Sequence, residues 1–337
     1  MTRRERVKTI FSGQPADRCG FWMGNPIPAT WELYHRQSGM DDEMSIRRML
    51  GDDFYHFWVS AYKHPDGRPE FDPQRLNGDD PLVFGAANVF ADCEDPAEVE
   101  DFEWPNPDYL DFTETLEAMR ASGDVYRASG IWSPFYHIAA DLFGMEDMFI
   151  KMHTHPAVVD AVFRHICEYC LEGNRRFFTQ AGDLLDGFFF ANDLGTQRDL
   201  FLSPEFFDRF MFPWYQEFAA QAHAFGYQVL YHSCGAVHKL IDRFIAAGID
   251  VLNPLQPLAA EMDAATLARD FGGRVAFLGG IDVQELLIHG TPAQIRDEVH
   301  RVMDLLGPGL VVSPGHQDLQ PDIPFENIRI MAEAVVG

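Results

Sequence analysis

The chain repeats one pattern along most of its length: a short apolar run, a polar or glycine corner, and then a longer amphipathic stretch. The short runs predict strands and the amphipathic stretches predict helices. Strands that alternate with helices form parallel sheets, and eight such strands can close into a barrel that has no free edges. The predicted strands are Cys19–Met23, Phe54–Val59, Val125–Ser129, Leu184–Ala191, Gln228–Tyr231, Val251–Leu252, Val275–Leu278 and Leu310–Val312.

We therefore predict an α/β fold, a single (β/α)8 barrel that covers residues 1–337. A barrel of this kind accommodates ~250 residues or more as one unit, so the length of the chain is compatible with one domain. An irregular insertion is predicted around residues 63–107, which are rich in Pro, Gly and Asp. The alternative is an open doubly wound sheet, but Gly24-Asn25-Pro26 after the first strand does not match the glycine-rich nucleotide motif.

Helix signals in the second half of the chain agree with this alternation. Ser203 is a suitable N-cap in front of a proline, and the spacing of the apolar residues around Phe244 is that of one helix face. The helices are predicted to run from Ser203 to about Phe225, over Val237–Ala247, from Thr291 to just before Gly307, and over Pro324–Val336.

The charge of the chain limits its partners. It has 26 Lys and Arg residues against 52 Asp and Glu residues, and its formal net charge is −26. Such a surface repels phosphate backbones and anionic lipids, so we expect binding of neither nucleic acid nor membranes. The five cysteines have no disulfide-framework spacing, and no signal peptide or membrane-spanning run is recognisable. These features predict a cytoplasmic protein that acts on a small molecule.

Polar residues follow nearly every predicted strand, at the end of the barrel where active sites form. They are mostly Asn, Asp, His and Gly, whereas a solvent-exposed loop would be richer in Lys, Glu and Ser. This bias favours a pocket. The segments with the most polar groups are Asn192-Asp193, His232-Ser-Cys234-Gly235, Asn253-Pro-Leu-Gln256, Gly279-Gly-Ile-Asp282 and Ser313-Pro-Gly-His316.

His232 and Cys234 are the strongest candidates for metal ligands. Side chains two residues apart on an extended segment point the same way, so the imidazole and the thiol could bind one ion. Zn²⁺ accepts nitrogen and sulfur ligands, and a catalytic zinc site keeps one position open. The alternative is a core histidine beside a buried thiol. The third ligand should come from another strand end, where His316 is the first candidate and Asp193 and Asp282 are held in reserve.

Cys167 and Cys170 form a CxxC motif, which is often associated with redox chemistry. Here the motif lies inside a predicted helix, Val158–Phe178, whose apolar spacing explains both thiols as core packing. A redox-active pair would lie at the start of a helix. We therefore expect these two thiols to be structural.

The motifs from Gly182 onward resemble those of the uroporphyrinogen decarboxylase superfamily, and weaker similarity extends upstream through Ser129-Gly-Ile-Trp132. The superfamily has a (β/α)8 barrel fold, which agrees with the strand count. The resemblance rests on Asn192-Asp193-Leu194-Gly195, the helix start at Ser203-Pro-Glu-Phe-Phe, His232-Ser-Cys234-Gly235, Asn253-Pro, Gly279-Gly-Ile-Asp282, and the run from Gly315-His316 through Gln320-Pro-Asp-Ile-Pro-Phe-Glu326-Asn327.

The resemblance covers two kinds of enzyme. True decarboxylases carry an arginine-rich segment near the N-terminus that binds porphyrinogen carboxylates, whereas the matching stretch here, Phe21–Thr30, has no arginine. The corrinoid-dependent methyltransferases resemble the chain in the HxC motif after the fifth strand, and they use Zn²⁺ to activate a thiol. Their third ligand is usually a cysteine near the last strand, where this chain has His316. The resemblance is therefore closer to the methyltransferases.

This branch implies methyl transfer between a protein-bound cobamide and a thiol or a methylated small molecule, in a direction left open. The methylcobamide would come from a separate corrinoid protein, because the chain has no DxHxxG cobalamin motif. If the chain self-associates, we expect a homodimer. The alternatives are uroporphyrinogen decarboxylation and a non-catalytic barrel scaffold. The residues implied are His232, Cys234 and His316 for Zn²⁺, Asp193 and Asp282 for catalysis, and Asn192, Tyr136, Asn253, Gln256 and Gln320 for substrate binding.

Overall fold

The computed structural model of the protein describes residues 1–59, 61–68, 70–71 and 89–337. Eight strands form one parallel sheet in the order β1-β8-β7-β6-β5-β4-β3-β2, with the helices around it. The eight predicted strands and the predicted (β/α)8 barrel are therefore confirmed. The strands are β1 (Gly20–Phe21), β2 (Phe54–Trp58), β3 (Tyr126–Gly130), β4 (Gly187–Ala191), β5 (Gln228–His232), β6 (Val251–Asn253), β7 (Ala276–Ile281) and β8 (Leu310–Pro314).

The helices follow the strands, and none in the part of the chain that the structure describes is long and apolar enough to cross a membrane. The predicted helix starts at Ser203, Thr291 and Pro324 are confirmed, whereas the stretch predicted over Val237–Ala247 begins with a 3-10 turn and becomes α-helical at Ile241. The α-helices are α1 (Arg3–Phe11), α2 (Pro28–Ser38), α3 (Glu43–Leu50), α4 (Pro96–Glu100), α5 (Thr113–Ala121), α6 (Phe135–Phe143), α7 (Met145–Thr154), α8 (Pro156–Ala181), α9 (Pro204–Phe206), α10 (Phe212–Ala224), α11 (Ile241–Ala247), α12 (Ala264–Phe271), α13 (Leu286–His289), α14 (Pro292–Leu306) and α15 (Phe325–Val336).

Shorter elements complete the described chain. A π-helical turn, Phe207–Met211, joins α9 to α10, and 3-10 turns occur at Pro107–Tyr109, Gly182–Leu184 and His238–Leu240. Asn25–Pro26 pairs in parallel with Asp318–Leu319 beside the mouth of the barrel. The insertion predicted around residues 63–107 falls partly outside the described residues, so it stays a prediction. Cys167 and Cys170 are fully buried in α8, where they pack in the hydrophobic core as predicted.

The side chains that point into the barrel are apolar near the amino ends of the strands and polar near the carboxyl ends. Phe54 of β2 and Leu230 of β5 belong to an interior core that also contains Ile10 of α1, so this helix closes the amino end of the barrel. His56 and His232 lie two residues further along the same strands and therefore face the same interior. Both imidazoles thus reach the carboxyl end, where a barrel site forms.

The seam between β1 and β2 is closed by a backbone bond and two buried carboxylates. The Asp53 N–H donates to the Phe21 carbonyl at 2.8 Å, and Asp53 Oδ2 accepts the Phe21 N–H at 3.0 Å. Asp52 Oδ1 accepts the Met23 N–H at 3.3 Å. Arg6 and Arg18 each form an ion pair with Asp53, at 2.8 and 2.7 Å. Closure of the barrel therefore depends on charges that are paired in its interior.

Asp53→Asn should destabilise the fold strongly, because it leaves Arg6 and Arg18 without their shared carboxylate. Breaking a buried ion pair from one side typically costs about 3 to 5 kcal/mol. Urea unfolding followed by circular dichroism should show a loss of that order. Asp297→Asn, on the exposed face of α14, is the matched control and should change stability by less than about 0.5 kcal/mol. Equal stabilities for the two variants would contradict this account of the seam.

Candidate metal centre

His232 is held in one tautomer by its neighbour on the next strand. Its Nδ1 lies 2.8 Å from Oδ1 of Asn253, the last residue of β6. The Asn253 side-chain NH₂ donates to the Leu278 carbonyl at 3.0 Å, so the amide oxygen must be the atom that faces the imidazole. Nδ1 therefore carries the proton and donates it to Asn253, which leaves the lone pair of Nε2 available to a cation.

Three possible ligand atoms converge at this Nε2. The Cys234 Sγ lies 3.4 Å from it, and Oδ1 of Asp193 lies 3.5 Å from it. The three ligand atoms are all within 4.8 Å of one another. The predicted convergence of the imidazole and the thiol is thus present in the structure. Asp193, which was predicted as an alternative third ligand, lies beside them.

The loops that carry these groups are tied together. The Cys234 N–H donates to Asp193 Oδ1 at 2.8 Å, and the Leu194 N–H donates to Ser233 Oγ at 3.0 Å. Gly235 adopts a φ of +86°, and a Cβ added there would lie 2.2 Å from the Gly195 carbonyl oxygen. Only glycine permits both this backbone conformation and this close approach. The two loops are therefore fixed relative to each other, and so are Asp193 and Cys234.

Burial controls the charges of the centre. Burial raises the pKa of the Cys234 thiol far above its usual range, and the Asp193 carboxylate raises it further. Burial likewise lowers the pKa of His232. For Asp193, burial raises the pKa, but His232 and the Cys234 backbone N–H outweigh it, so the net pKa falls below its usual value. Near neutral pH the metal-free centre therefore holds a neutral imidazole, a neutral thiol and one carboxylate.

This donor set fits zinc. A divalent cation stabilises the thiolate form of a cysteine, so metal binding would release the Cys234 proton. Nitrogen, sulfur and carboxylate oxygen are the three ligand types that Zn²⁺ accepts in tetrahedral sites. Three protein ligands would leave the fourth position for a substrate, as catalytic zinc sites do. His232, Cys234 and Asp193 are thus suited to hold the ion.

His316 lies near this group, though its ring centroid is 6.3 Å from that of His232. Its Nδ1 lies 3.0 Å from the Asp318 backbone nitrogen and 3.2 Å from the Asp318 carbonyl oxygen, so it is already engaged with the backbone of Asp318. His316 as the third ligand therefore stays a prediction, while the geometry favours Asp193.

Asp282 lies elsewhere. Its carboxylate accepts the backbone N–H groups of Gln284, Glu285 and Leu286 at 2.9 to 3.0 Å, at the start of α13. Acceptance of three N–H groups is a helix-capping arrangement. Among the residues that the structure describes, Asp282 is not brought together with His232 and Cys234. Its predicted catalytic role stays untested, and its observed contacts are structural.

The residues predicted to bind substrate divide into three groups. Asn192 Oδ1 accepts the Tyr136 N–H at 2.9 Å, and both side chains are buried. The Tyr136 hydroxyl and the Asn192 side-chain nitrogen have no hydrogen-bond partner in the described part of the chain. Buried polar groups normally have a hydrogen-bond partner, and a ligand could supply the partner that these two atoms lack.

The remaining predicted residues support the loops instead. Asn253 orients His232, as described above. Gln256 Oε1 accepts the Gly235 N–H at 3.0 Å and the Gln197 side-chain NH₂ at 2.9 Å, which braces the loop that bears Cys234. Gln320 is exposed, beyond the end of the last strand.

Sequence reasoning missed His56 and Asp318. His56 Nδ1 accepts the Asn25 side-chain NH₂ at 3.2 Å, and Asn25 is oriented by Arg47 at 3.4 Å. The sequence does contain a pattern that indicates His56, because Phe54, His56 and Trp58 alternate along β2 and so lie on one face of the strand. Burial raises the pKa of the Asp318 carboxyl, while His316 and His232 oppose this. Asp318 stands two residues after His316, and the order of strand ends gave no reason to single it out.

Comparisons with known proteins agree with this architecture. The family model described as uroporphyrinogen decarboxylase (URO-D) matches residues 84–337. A methyltransferase from Methanosarcina mazei is similar in structure, with a TM-score of 0.69 and 16% sequence identity over 100% of this chain and 98% of that one. None of the curated proteins searched is significantly similar in sequence.

A more distant structural likeness is to a protein from Listeria monocytogenes that is described as a candidate vitamin-B12 independent methionine synthase. The two chains share 12% identity and a TM-score of 0.44 over 95% of this chain and 96% of that one. A likeness of this size carries no argument about function. The Methanosarcina likeness, at its low identity, supports the fold.

His56→Gln should make the protein less sensitive to mild acid. Burial lowers the pKa of His56 from its usual 6.5 to about 3, so this imidazole contributes stability above pH 6.5 that is lost as the pH falls. Between pH 7 and pH 5 the native protein should lose about 2 kcal/mol more unfolding free energy than the variant. Urea titrations at both pH values measure this. Equal losses of unfolding free energy in the two proteins would refute the lowered pKa of His56. A similar effect of His300→Gln on α14 would refute it too.

His232→Ala should abolish stoichiometric metal binding while leaving the barrel folded, because the packed interior supplies the stability of this fold. We expect about one zinc per native chain and less than a tenth of that in the variant, by elemental analysis after dialysis. His300→Ala, an exposed histidine, is the matched control. Full zinc in His232→Ala would show that the ligand assignment is wrong.

The same measurement decides the third ligand. Asp193→Asn should weaken zinc binding more than His316→Gln does, because Asp193 Oδ1 already lies beside the His232 Nε2. Competition against a chelator gives the two affinities, and loss of a direct ligand should exceed the tenfold to hundredfold effect typical of indirect contacts, about 100-fold or more. The reverse order would assign the position to His316.

Proposed function

The chain belongs to the uroporphyrinogen decarboxylase family, and on that premise we propose that it is a zinc-dependent methyltransferase. It would move a methyl group between a cobamide, carried by a separate corrinoid protein in the cytoplasm, and a thiol or methylated small molecule. The observation that supports this most is the cluster of Asp193, His232 and Cys234 at the open end of the barrel. The fold shared with a protein named as a methyltransferase makes methyl transfer the first activity to test.

Each residue of the centre has a task in this proposal. Zinc, when bound, would polarise the substrate heteroatom as a Lewis acid and favour its deprotonated form. Asn253 keeps the His232 Nε2 free of a proton, and the braced loops keep Cys234 and Asp193 at a fixed distance. Tyr136 and Asn192 would donate hydrogen bonds to the substrate from their unpaired atoms. The chain thus supplies orientation and hydrogen-bond donors.

In either direction of the proposed transfer, one bond to the methyl carbon forms while another breaks. A substrate thiolate would form a bond to the methyl carbon while the cobalt–carbon bond breaks, and the electron pair of that bond would stay on the cobamide. In the opposite direction, the reduced cobamide would take the methyl group from the substrate, and the heteroatom would keep the electron pair. Both directions need the barrel mouth to accommodate the corrinoid face and the small molecule together.

Porphyrinogen decarboxylation is less compatible with the charges of the chain. Arg47, which contacts Asn25 beside the mouth, is paired with the buried carboxylate of Asp52, and Arg6 and Arg18 are paired with Asp53 at the amino end of the barrel. A substrate with several carboxylates would therefore lack a cluster of free cations, and unpaired buried charge is unfavourable. This observation supports methyl transfer over the activity for which the family is named.

A transfer assay with free methylcobalamin tests the proposal. The zinc-loaded protein should demethylate methylcobalamin in the presence of a small thiol, or methylate cob(I)alamin from a methylated donor, as followed by absorbance. His232→Ala should reduce the rate by on the order of 100-fold or more, and Asn253→Ala by about 10- to 100-fold, because it only orients a ligand. His300→Ala should retain the native rate.

Two results would count against the proposal. Conversion of uroporphyrinogen III to coproporphyrinogen by the purified protein would favour decarboxylation. A protein that binds no zinc and transfers no methyl group in either direction would favour a scaffold.

A further inference from the structure

A row of aromatic rings leads from the mouth of the barrel to the metal centre. Trp58, the last residue of β2, is 48% exposed, and its ring centroid lies 4.7 Å from that of Trp132. The Trp132 ring is in turn 5.2 Å from His56 and 5.6 Å from His232. We call His56, Trp58 and Trp132 the aromatic wall. It forms the side of the mouth above β2 and β3.

The aromatic wall attracts positive charge. The faces of indole rings carry negative electrostatic potential, and a cation within about 6 Å of a ring centroid is stabilised by it. His56 does not oppose this, because burial keeps its imidazole neutral near pH 7. A methylated or alkylated ammonium group can contact such a wall without losing a hydrogen bond to water, since it has few or no N–H groups to satisfy.

Carboxylates lie on the other sides of the mouth. Asp193 follows β4, and its Oδ1 lies 3.5 Å from His232 Nε2. Asp318 follows β8 and pairs with Asn25, whose side-chain NH₂ contacts His56. Within the described ranges, no lysine or arginine forms an ion pair with either carboxylate.

We propose that the aromatic wall and Asp318 bind the cationic head of a small organic molecule, an alkylammonium or similar onium group, beside the metal centre. That the molecule is the methyl-transfer substrate rests on the proposed function, whereas the cation subsite itself does not. The two carboxyl groups on the other sides of the mouth disfavour an anionic head in the same place. A thiol that carries a carboxylate or sulfonate is therefore a poor fit.

Calorimetry with a matched pair of probes tests the subsite. Choline and 3,3-dimethylbutan-1-ol have the same shape, and only choline has a charge. The zinc-loaded protein should bind choline at least about tenfold more tightly than the neutral alcohol, as expected for combined ring and carboxylate attraction. Choline should also change the tryptophan emission, because Trp58 and Trp132 lie at the subsite.

Variants locate the binding. Trp58→Leu keeps an apolar side chain but removes the ring, and Asp318→Asn removes the charge at nearly constant shape. Each should weaken choline binding by about fivefold or more and leave the neutral alcohol unaffected. Trp214→Leu on α10 and Asp322→Asn near the C-terminal helix are the controls and should bind choline as the native protein does. Circular dichroism and zinc content confirm that each variant is folded.

Three outcomes would overturn the inference. Equal affinity for the two probes would indicate an apolar subsite, unchanged choline binding in Trp58→Leu and Asp318→Asn would place the cation elsewhere, and no saturable heat would mean no subsite. The result is separate from the proposed function. Methyl transfer without choline binding would leave the transferase proposal intact, and choline binding without zinc or transfer would leave only the subsite.

Discussion

The hydrogen bond between Asn253 and His232 decides what the rest of the centre can do. Inside a barrel every polar group needs a partner, and Asn253 satisfies this by donating to the Leu278 carbonyl and accepting from His232 Nδ1. The imidazole then has one possible neutral tautomer, with its lone pair directed at Cys234 and Asp193. Had Asn253 been a donor at this contact, the proton would lie on Nε2 and the cluster could not bind a metal.

The strands and the His232–Cys234 pair could be predicted because both follow from the two-residue period of an extended chain. The third ligand could not, because Asp193 reaches the pair only through hydrogen bonds between two loops, such as the one from the Cys234 N–H. Asp282 illustrates the converse. An aspartate that follows a strand can cap a helix as readily as it can bind a metal, and the sequence does not distinguish the two roles. His56 could not be recognised from the strand ends, because it lies within β2 and not after it.

The arginines near the N-terminus connect the stability of the barrel with its specificity. Asp52 and Asp53 are fully buried at the seam, where a carboxylate without a neighbouring cation is unfavourable. Arg6 and Arg18 pair with Asp53 just before β1 and β2 begin, at the amino end of the barrel. Arg47 pairs with Asp52 and also contacts Asn25 beside the mouth, so its charge is already engaged at the end where a ligand would bind. The way in which this chain closes its barrel therefore leaves none of these three arginines free for a ligand.

The site contains histidines that burial keeps neutral and carboxylates without a lysine or arginine in the described part of the chain. Burial lowers the pKa values of His56 and His232, so neither supplies positive charge near neutral pH. A metal ion or a cationic ligand would supply the charge that these two side chains do not. A protein with a net charge of −26 also draws cations towards its surface from a distance. Local and global electrostatics thus favour the same class of ligand, since both the pocket and the surface around it attract positive charge.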